Sequence, residues 1–381
     1  MLLVGAYERD NFGDLLFYQL TKQYLTDHRV MAGSVIGADM SALLGARVLP
    51  YNDVLAARAW DAVWVVGGEI GGVDTGNALT MSLNDHDGEI FDAAGPRGRS
   101  SIARYLADSS TTAPAYIPEL NRFELNAATP LIINSVGLGT MRPAGESEGD
   151  DAAIAALRRA NSLVVRDSLS QRFAETHDIT AALSPDMVHA ISLRYPDLAT
   201  NTDSAVEPYF LFQANGYIIH KNGPEQIAQA LAQVARATGW RPVLFLAGTA
   251  RHHDRPDQYD AVLEALRALE PDAKPTVLST RHPLELSQWI AQSQLWIGSS
   301  LHGRIISGSF GRPRVSLENA KVSTYAQSWD AEFPVNVEFA DLATATEMAI
   351  GAAAVPSNKD ASRELAHWAD AQTLGLVKEY L

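Results

Sequence analysis

The segment LWIGSSLHGRIISGSFGRPRVSL, Leu295 to Leu317, contains the succession of elements that decides the fold. Its first residues, LWIG, form a short apolar run typical of a buried strand, and RVSL, from Arg314, indicates a second strand. Between them, an apolar helical run begins near Leu301 and ends at GSFGRP. A strand, a helix and a strand in this order predict a parallel sheet covered by helices.

The same alternation occurs in two series along the chain. Apolar runs predict strands that begin at Leu2, Ala62, Leu131 and Ser162 in the first series, and at Tyr209, Pro242, Pro275, Leu295 and Arg314 in the second. The polar, turn-rich stretch DLATNTDSAVEP after Pro196 separates the two series. We therefore expect two doubly wound α/β domains, with a cleft available between them.

These patterns also suggest the bounds of the domains. An N-terminal Rossmann-like domain is predicted over residues 1–197 and a C-terminal one over residues 205–355. Residues 356–381 predict an amphipathic C-terminal helix. The region of about 71–128 is rich in Gly, Asp, Ser and Pro, with one helix indicated near SIARYLAD, so we expect a long loop-rich insertion there.

Composition excludes several classes of function. The net charge of −15 is unsuited to a nucleic-acid groove, which needs a dense surface of Lys and Arg, so no nucleic-acid partner is expected. With 0 cysteines the chain has no disulfide, no thiolate nucleophile and no cysteine-ligated metal. It shows neither a basic signal leader nor a run of roughly 18–20 apolar residues. We expect a cytoplasmic protein without a transmembrane segment.

His302 lies where the strand LWIG turns into the following helix, which Ser299 or Ser300 is expected to cap. In open α/β sheets, ligands bind at this edge, and the free N–H groups of a helix N-terminus attract anions. The alternative is that His302 is an ordinary structural residue of the first turn. Local chemistry alone leaves both interpretations open.

Two motifs of the first series occupy equivalent positions. YERDNFGDLL places Asn11 and Gly13 in a turn after the first strand, and Asp14 in the next helix. A carboxylate there could orient or deprotonate a sugar hydroxyl; alternatively, Asn11 and Asp14 are only turn and cap residues. In VVGGEIGG, Gly67 and Gly68 permit close approach of a ligand to the backbone. No nucleotide-phosphate fingerprint is present.

SLVVRDSLSQRF places Arg166 and Asp167 at a third strand end. Arginine suits bidentate binding of a carboxylate or phosphate, and a surface ion pair with Asp167 is the alternative. SPDMVHAI, with Asp186 and His189, is expected to be mostly structural.

The cluster RHHDRPD, with His252, His253 and Asp254, raises the question of a metal site. Adjacent side chains diverge, and no H-x-x-x-H or H-E-x-x-H spacing accompanies them. A loop at the edge of the cleft is therefore favoured over a metal site.

Taken in order, NFGD, VVGGE, NSVGLG, VVRDSLS, SPDMV and SSLHGRIISGSFGRP resemble the motifs of the polysaccharide pyruvyl transferase family, over Asn11 to Pro313. The resemblance implies two Rossmann-like domains facing a cleft, a glycosyltransferase-B-like arrangement. It also implies transfer of pyruvate from phosphoenolpyruvate, the donor substrate, to a sugar, oligosaccharide or lipid-linked glycan of a cell-surface polysaccharide. The products would be a cyclic ketal and phosphate, made without cofactor or metal, and peripheral association with the inner face of the membrane is compatible with this role.

The resemblance also assigns roles to residues. His302 would be the general acid, Arg166 would hold the donor's carboxylate or phosphate, and Asp14 is the third catalytic candidate. Donor-binding residues would be Ser299, Ser300, Gly303 and Arg304, and acceptor-binding residues Asn11, Gly13, Gly67, Gly68 and Glu69.

The chain departs from the family pattern at two positions. Ser300 stands where well-studied members carry an arginine, and Glu69 where they carry a third glycine. Arg304 is the nearest residue that could replace the lost guanidinium. Two alternatives stay open: a glycosyltransferase that uses a nucleotide sugar on the same architecture, and a non-catalytic glycan-binding or assembly subunit.

Overall fold

The computed structural model describes residues 1–200 and 207–381, so residues 201–206 of the predicted linker lie outside the described part. The chain divides into two compact units. The first unit comprises Met1–Met187 and Ala371–Leu381, and the second comprises Val188–Asp370. Each contains one of the two predicted series of strands, and both are of the α/β class, as the alternation predicted.

The sheet of the first unit has eight strands. They are β1 (Leu2–Val4), β2 (Met31–Ser34), β3 (Ala38–Met40), β4 (Ala46–Pro50), β5 (Val63–Val66), β6 (Leu131–Val136), β7 (Ser162–Val165) and β8 (Ala182–Leu183). Their spatial order is β3-β4-β2-β1-β5-β6-β7-β8, and only the β3–β4 pairing is antiparallel. The direction of strand addition therefore reverses between β1 and β5, where an open sheet of this kind leaves a crevice for ligands.

Eight helices accompany this sheet within the first 187 residues. They are α1 (Phe12–Tyr24), α2 (Ser41–Leu44), α3 (Tyr51–Ala57), α4 (Thr75–Ser82), α5 (Asp85–Ala93), α6 (Pro96–Ala107), α7 (Glu148–Leu157) and α8 (Ser168–Thr176). All residues of β5 and β6 are buried, which agrees with apolar runs enclosed on both faces of a parallel sheet.

The expectation of a loop-rich insertion over about 71–128 is wrong for most of that region, since α4, α5 and α6 lie within it. The polar residues that suggested loops begin the helices. Asp74 and Asn84 are N-caps whose side chains accept hydrogen bonds from backbone N–H groups of the first turn. Gly95 and Pro96 stand at the N-cap and first helical position of α6, where proline is favoured.

The sheet of the second unit has five parallel strands. They are β9 (Tyr209–Gln213), β10 (Arg241–Leu244), β11 (Thr276–Val277), β12 (Leu295–Gly298) and β13 (Arg314–Ser316). Their order is β11-β10-β9-β12-β13, so strand addition reverses between β9 and β12. The surrounding helices are α9 (Ile191–Arg194), α10 (Gly216–Asn222), α11 (Pro224–Thr238), α12 (Pro256–Leu269), α13 (Pro283–Gln292), α14 (Leu301–Ser309), α15 (Ala320–Trp329) and α16 (Leu342–Ala354).

The observed division of the chain differs from the predicted bounds near residue 190. Residues 188–199 belong to the second unit, where the Ser192 N–H donates to Ser309 Oγ at 3.3 Å and Gln292 Nε2 donates to the Leu198 carbonyl at 3.1 Å. The hydrophobic pattern could not reveal these contacts because they join segments about 100 residues apart.

The predicted C-terminal helix is present as α17 (Pro356–Tyr380). Its last turns belong to the first unit, where Asn134 Nδ2 donates to Thr373 Oγ1 at 3.3 Å and the Tyr380 hydroxyl donates to the Asn161 carbonyl at 2.7 Å. Within residues 1–200 and 207–381, no helix combines the length and apolar character needed to cross a membrane.

Candidate active site

Each unit gathers polar residues where its strand order reverses. We call the residues that follow β1 and β5, from Gly5 to Asp14 and from Gly67 to Glu69, the first switch point. The residues that follow β9 and β12, from Ala214 to Gly216 and from Ser299 to Arg304, are the second switch point. All but one of the predicted site residues fall in these two sets. The exception is Arg166, which follows β7.

At the first switch point, Asp14 lies in the first turn of α1 with Asn11 as the N-cap. Its Oδ2 atom accepts hydrogen bonds from Asn11 Nδ2 at 2.9 Å and from Arg9 at 3.4 Å. Its Oδ1 atom faces Gly68, since a β-carbon added there would lie 3.5 Å away. The structure thus brings Asn11, Asp14 and the Gly67–Gly68 turn together, with one oxygen of the carboxylate directed towards bare backbone.

The surroundings of Gly67 require a glycine there, and the N–H of Gly13 closes a turn. Gly67 has φ of +66°, and an added β-carbon would lie 2.3 Å from the ring of Phe17. The Gly13 N–H donates to Asn11 Oδ1 at 3.2 Å, which closes the turn that starts α1. The predicted turn at Asn11 and Gly13 and the glycine turn at Gly67 are therefore both present.

A buried charged cluster that the motif analysis missed supports Asp14. Glu8 is 5% exposed and accepts hydrogen bonds from the Tyr116 hydroxyl at 2.9 Å, from Arg9 at 3.0 Å, and from Ser34 and Ser82. Arg9 also donates to the Tyr116 oxygen at 2.7 Å. Burial alone lowers the pKa of Arg9, but Tyr116, Glu8 and Asp14 together raise it above its ordinary value. Arg9 therefore stays charged beside Asp14.

Arg166 is fully buried, so the alternative of an ordinary surface ion pair is wrong. Its guanidinium lies 3.4 Å from Asp186 Oδ2 and 3.2 Å from Glu69 Oε2. Asp167 caps α8, accepting a hydrogen bond from the Ser170 N–H at 2.8 Å. The structure thus joins Glu69, predicted to line the acceptor side, to the arginine predicted to hold the donor.

At the second switch point, Ser300 rather than Ser299 caps α14, and its hydroxyl accepts a hydrogen bond from the Gly303 N–H at 3.3 Å. Ser299 holds the neighbouring loop, because its hydroxyl accepts from the Asn215 N–H at 3.1 Å and donates to Gln213 Oε1 at 3.3 Å. Its carbonyl accepts from Asn319 Nδ2 at 2.8 Å.

His302 is 6% exposed and lies in the first turn of α14. Gly303 beside it packs directly on the indole of Trp296, and an added β-carbon would lie 2.0 Å from that ring. The contact fixes the start of the helix, and with it the backbone position of His302. Gln213, Asn215 and Asn319 were not predicted, although Gln213 ends the strand that neighbours β12.

The expectation that Arg304 binds the donor needs correction. Its side chain is 1% exposed and donates to Ser316 Oγ and to the carbonyls of Pro334, Asp330 and Phe333 at 2.9–3.1 Å. Its Nε atom also lies 2.8 Å from Asp330 Oδ2. The guanidinium of Arg304 binds the loop that follows α15. It therefore does not replace the arginine that other family members carry at the position of Ser300.

The RHHDRPD segment forms a loop that leads into α12, and Asp254 holds it in place. Asp254 is buried and accepts hydrogen bonds from the Ala247 N–H at 2.6 Å and from Gln213 Nε2 at 3.1 Å. His252 has φ of +65°, a turn conformation. In the part of the chain that the structure describes, no three His, Asp or Glu side chains are arranged to hold a metal.

One family model matches the part of the chain that contains these motifs. The model of the polysaccharide pyruvyl transferase family matches residues 11–321. The chain belongs to the polysaccharide pyruvyl transferase family. By family the protein is a transferase, and the match includes Asn11, Asp14, Arg166 and His302. A sequence search of curated proteins finds no significant match.

Solved structures with the same fold support the architecture of this pyruvyl transferase family member. A UDP-GlcNAc 2-epimerase from Neisseria meningitidis bound to UDP-GlcNAc is 13% identical, with 98% of each chain covered and a TM-score of 0.53. The epimerase from Methanocaldococcus jannaschii is 11% identical, with 92% of this chain and 91% of that chain covered and a TM-score of 0.56. S. aureus MnaA, solved with UDP, is 10% identical, with coverages of 100% and 95% and a TM-score of 0.57. The predicted glycosyltransferase-B-like fold of two Rossmann-like units is confirmed.

Proposed function

We propose that the protein transfers pyruvate from phosphoenolpyruvate to two hydroxyls of one sugar, forming a cyclic ketal and releasing phosphate. The observation that carries this proposal is the family match over residues 11–321, which includes the histidine and arginine that follow strands of the two parallel sheets. The acceptor would be a sugar, oligosaccharide or lipid-linked glycan, reached at the inner face of the membrane by peripheral association.

The proposed reaction balances with groups available in the chain. The methylene carbon of the donor gains a proton, and the adjacent carbon becomes open to attack by the first sugar hydroxyl. The bond from that carbon to the phosphate oxygen then breaks, and the second hydroxyl attacks the same carbon. Of the two hydroxyl protons released, one balances the proton of the new methyl group and the other leaves with phosphate.

Each step needs a residue of a particular type. His302 would supply the proton to the methylene carbon, because imidazole titrates near neutral pH. The backbone N–H groups at the start of α14 would stabilise the leaving phosphate. Asp14 would accept a proton from a sugar hydroxyl, and the free face of Gly68 leaves room for the sugar. Arg166 would bind the donor's carboxylate.

The test is phosphate release by the full chain with phosphoenolpyruvate and a panel of sugars, oligosaccharides and lipid-linked glycans, with mass spectrometry of the acceptor. We expect phosphate release that depends on the acceptor, and a product that carries one pyruvyl group. An acceptor methylated at one of the two bridged hydroxyls should give no ketal. Turnover with a nucleotide sugar and none with phosphoenolpyruvate would defeat the proposal.

A thermal-shift measurement separates the alternatives independently of the acceptor. A ligand that binds only the native state raises the melting temperature. We expect phosphoenolpyruvate to raise it more than uridine diphosphate or a nucleotide sugar does. Glycan binding that no donor affects would instead indicate a non-catalytic subunit.

A further inference from the structure

The guanidinium of Arg166 lies between two carboxylates of unequal exposure. The side chain of Asp186 is 0% exposed and that of Glu69 is 17% exposed, while Arg166 itself is 0% exposed. Asp186 is therefore a buried counter-ion, and expelling it from the arginine would leave an unpaired buried charge. Glu69 is the partner that solvent reaches, so it can exchange its contact with Arg166 for contacts with water.

The carboxylate of Glu69 rests in a recess that exists only because residue 137 is a glycine. A β-carbon added at Gly137 would lie 2.1 Å from Glu69 Oε2 and 2.9 Å from the NH2 atom of Arg166. The backbone on both sides is fixed, since the Gly137 N–H donates to the Gly68 carbonyl at 2.8 Å. The recess beside Arg166 thus has room for one carboxylate group against bare backbone.

The contacts that keep the Glu69 carboxylate in this recess are of moderate strength. Glu69 Oε1 accepts from the N–H and the hydroxyl of Thr140, both at 3.3 Å, and Oε2 lies 3.2 Å from Arg166. These distances are at the long end for hydrogen bonds, so the contacts are weaker than those of a short bidentate pair. A carboxylate from a ligand could form a shorter pair with the same guanidinium.

Charge also opposes an incoming anion while Glu69 is in place. The guanidinium has the carboxylates of Asp186 and Glu69 within 3.4 Å and that of Asp167 at 4.0 Å, so these carboxylates outnumber its single positive charge. Like charges at such a distance repel, and an anion can approach only as Glu69 leaves. The recess has the size of a carboxylate group, so an anion of another shape would gain less from displacing Glu69.

We propose that Glu69 is a specificity-determining residue whose carboxylate occupies the place of the donor's carboxylate on Arg166 and is displaced when the donor binds. This inference rests on the proposed function, since it concerns the same arginine and the same donor. Because Glu69 competes with every anion for Arg166, it weakens donor binding. It also favours donors that carry a carboxylate over inorganic phosphate.

The test compares Glu69→Gln with the wild-type full chain. Glutamine keeps the shape and the contact with Thr140 but removes the charge. We expect the KM for phosphoenolpyruvate to fall roughly tenfold, as the loss of one competing charge-assisted contact implies, with kcat changed less than about threefold. Inorganic phosphate, tested as a competitive inhibitor, should gain at least as much affinity. Glu175→Gln, which removes an exposed carboxylate of α8, should leave both constants unchanged.

Glu69→Asp provides a second variant with the charge retained on a shorter side chain. It should fall between wild type and Glu69→Gln in KM, and it serves alone if the glutamine variant does not fold. A structural role for Glu69 predicts a lower melting temperature with an unchanged KM, which would overturn the inference. A loss of kcat by orders of magnitude in Glu69→Gln would also overturn it, because Glu69 would then take part in the chemistry.

Calorimetric titration with phosphoenolpyruvate separates this inference from the proposed function. Turnover by the wild type with no change in KM or Kd on Glu69→Gln refutes the inference alone. Tighter binding of phosphoenolpyruvate by Glu69→Gln, with no turnover by any variant, refutes the proposed function and supports the displaceable carboxylate. If no variant shows turnover and Glu69→Gln binds phosphoenolpyruvate as the wild type does, both the inference and the proposed function are refuted.

Discussion

The two switch points have the same topology but place their charges differently. At the first, acidic and basic residues follow the strands directly: Asp14 and Arg9 are partly exposed, and Glu69 contacts Arg166, which follows β7. At the second, the residues that follow β12 are chiefly Ser299, Ser300 and His302, and the two arginines and the aspartate that pair in this unit are buried. There, Arg304 and Arg314 both pair with Asp330.

This difference teaches how one architecture can divide two tasks. The backbone N–H groups at the start of α14 can stabilise an anion without a permanent counter-ion. Glu69 of the first switch point can select an anion, because the arginine that it pairs with, Arg166, already has carboxylate partners that a ligand must match. Four variants, from the largest expected effect to the smallest, can break or sharpen this comparison.

His302→Ala should have the largest effect. If the ring is the general acid of the second switch point, phosphate release should fall by roughly 10²–10⁴-fold, the usual contribution of a positioned acid or base. The melting temperature should change little. His220→Ala, in the exposed part of α10, is the matched control and should retain full activity. Wild-type turnover by His302→Ala would remove the second switch point from the chemistry.

Asp330→Asn tests whether the buried charges of the second unit are structural. Burial favours a raised pKa for Asp330, but Arg314 and Arg304 outweigh burial and lower it. Removing this charge leaves two arginines uncompensated, so the free energy of unfolding should fall by about 3–5 kcal/mol in denaturant titrations. Asp360→Asn, in a pair whose side chains are 65% and 73% exposed, should cost about 0.5 kcal/mol or less. Equal effects would contradict the division of charges.

Gly303→Ala tests how tightly the start of α14 is fixed. The added methyl group would meet the indole of Trp296, so we expect a loss of about 1–3 kcal/mol in stability from overpacking. Activity should fall as well, because His302 would shift. Gly351→Ala, in α16 with no atom within 4 Å of the added carbon, should instead stabilise the protein by about 0.5–1 kcal/mol. A neutral Gly303→Ala would show that the helix start can move freely.

His189→Phe should have the smallest effect at neutral pH, because its effect on stability appears only in acid. His189 is buried against the ring of Tyr325, and in the described residues neither of its ring nitrogens is hydrogen-bonded. Burial lowers the pKa of His189 from 6.5 to about 4. Between pH 6.5 and about 4, the unfolded chain therefore binds a proton at His189 that the folded chain does not bind. The stability that is present above pH 6.5 is lost as the pH falls towards 4.

The slope attributable to His189 is at most about 1.4 kcal/mol per pH unit. Denaturant titrations of wild type and His189→Phe across this range should show a smaller loss of stability for the variant. If both lose stability in parallel, the imidazole is not the group that senses acid in the second unit.

Local pattern predicted the central strands and several helices because these elements are encoded by neighbouring residues. The run VWVV of β5 is apolar on both faces, and Gly239, with φ of +71°, ends α11 in the left-handed conformation that glycine adopts at helix C-termini. Strands β2, β3, β4 and β8 were not predicted, because they are short and lack a continuous apolar run. The helix indicated near SIARYLAD is α6, whereas α4 and α5 were missed because their capping residues were interpreted as loop residues.

The sequence by itself determined where strands end, and thus that His302, Asp14 and Arg166 follow strands at the edge where open α/β sheets generally bind ligands. Only the tertiary structure decided which of these side chains are buried and which residues pair with them. Glu69 reaches Arg166 across 97 residues and Tyr116 reaches Glu8 across 108, because the strand order brings their loops together. Ion pairing and burial depend on such distant neighbours, whereas strand and helix patterns depend on adjacent ones.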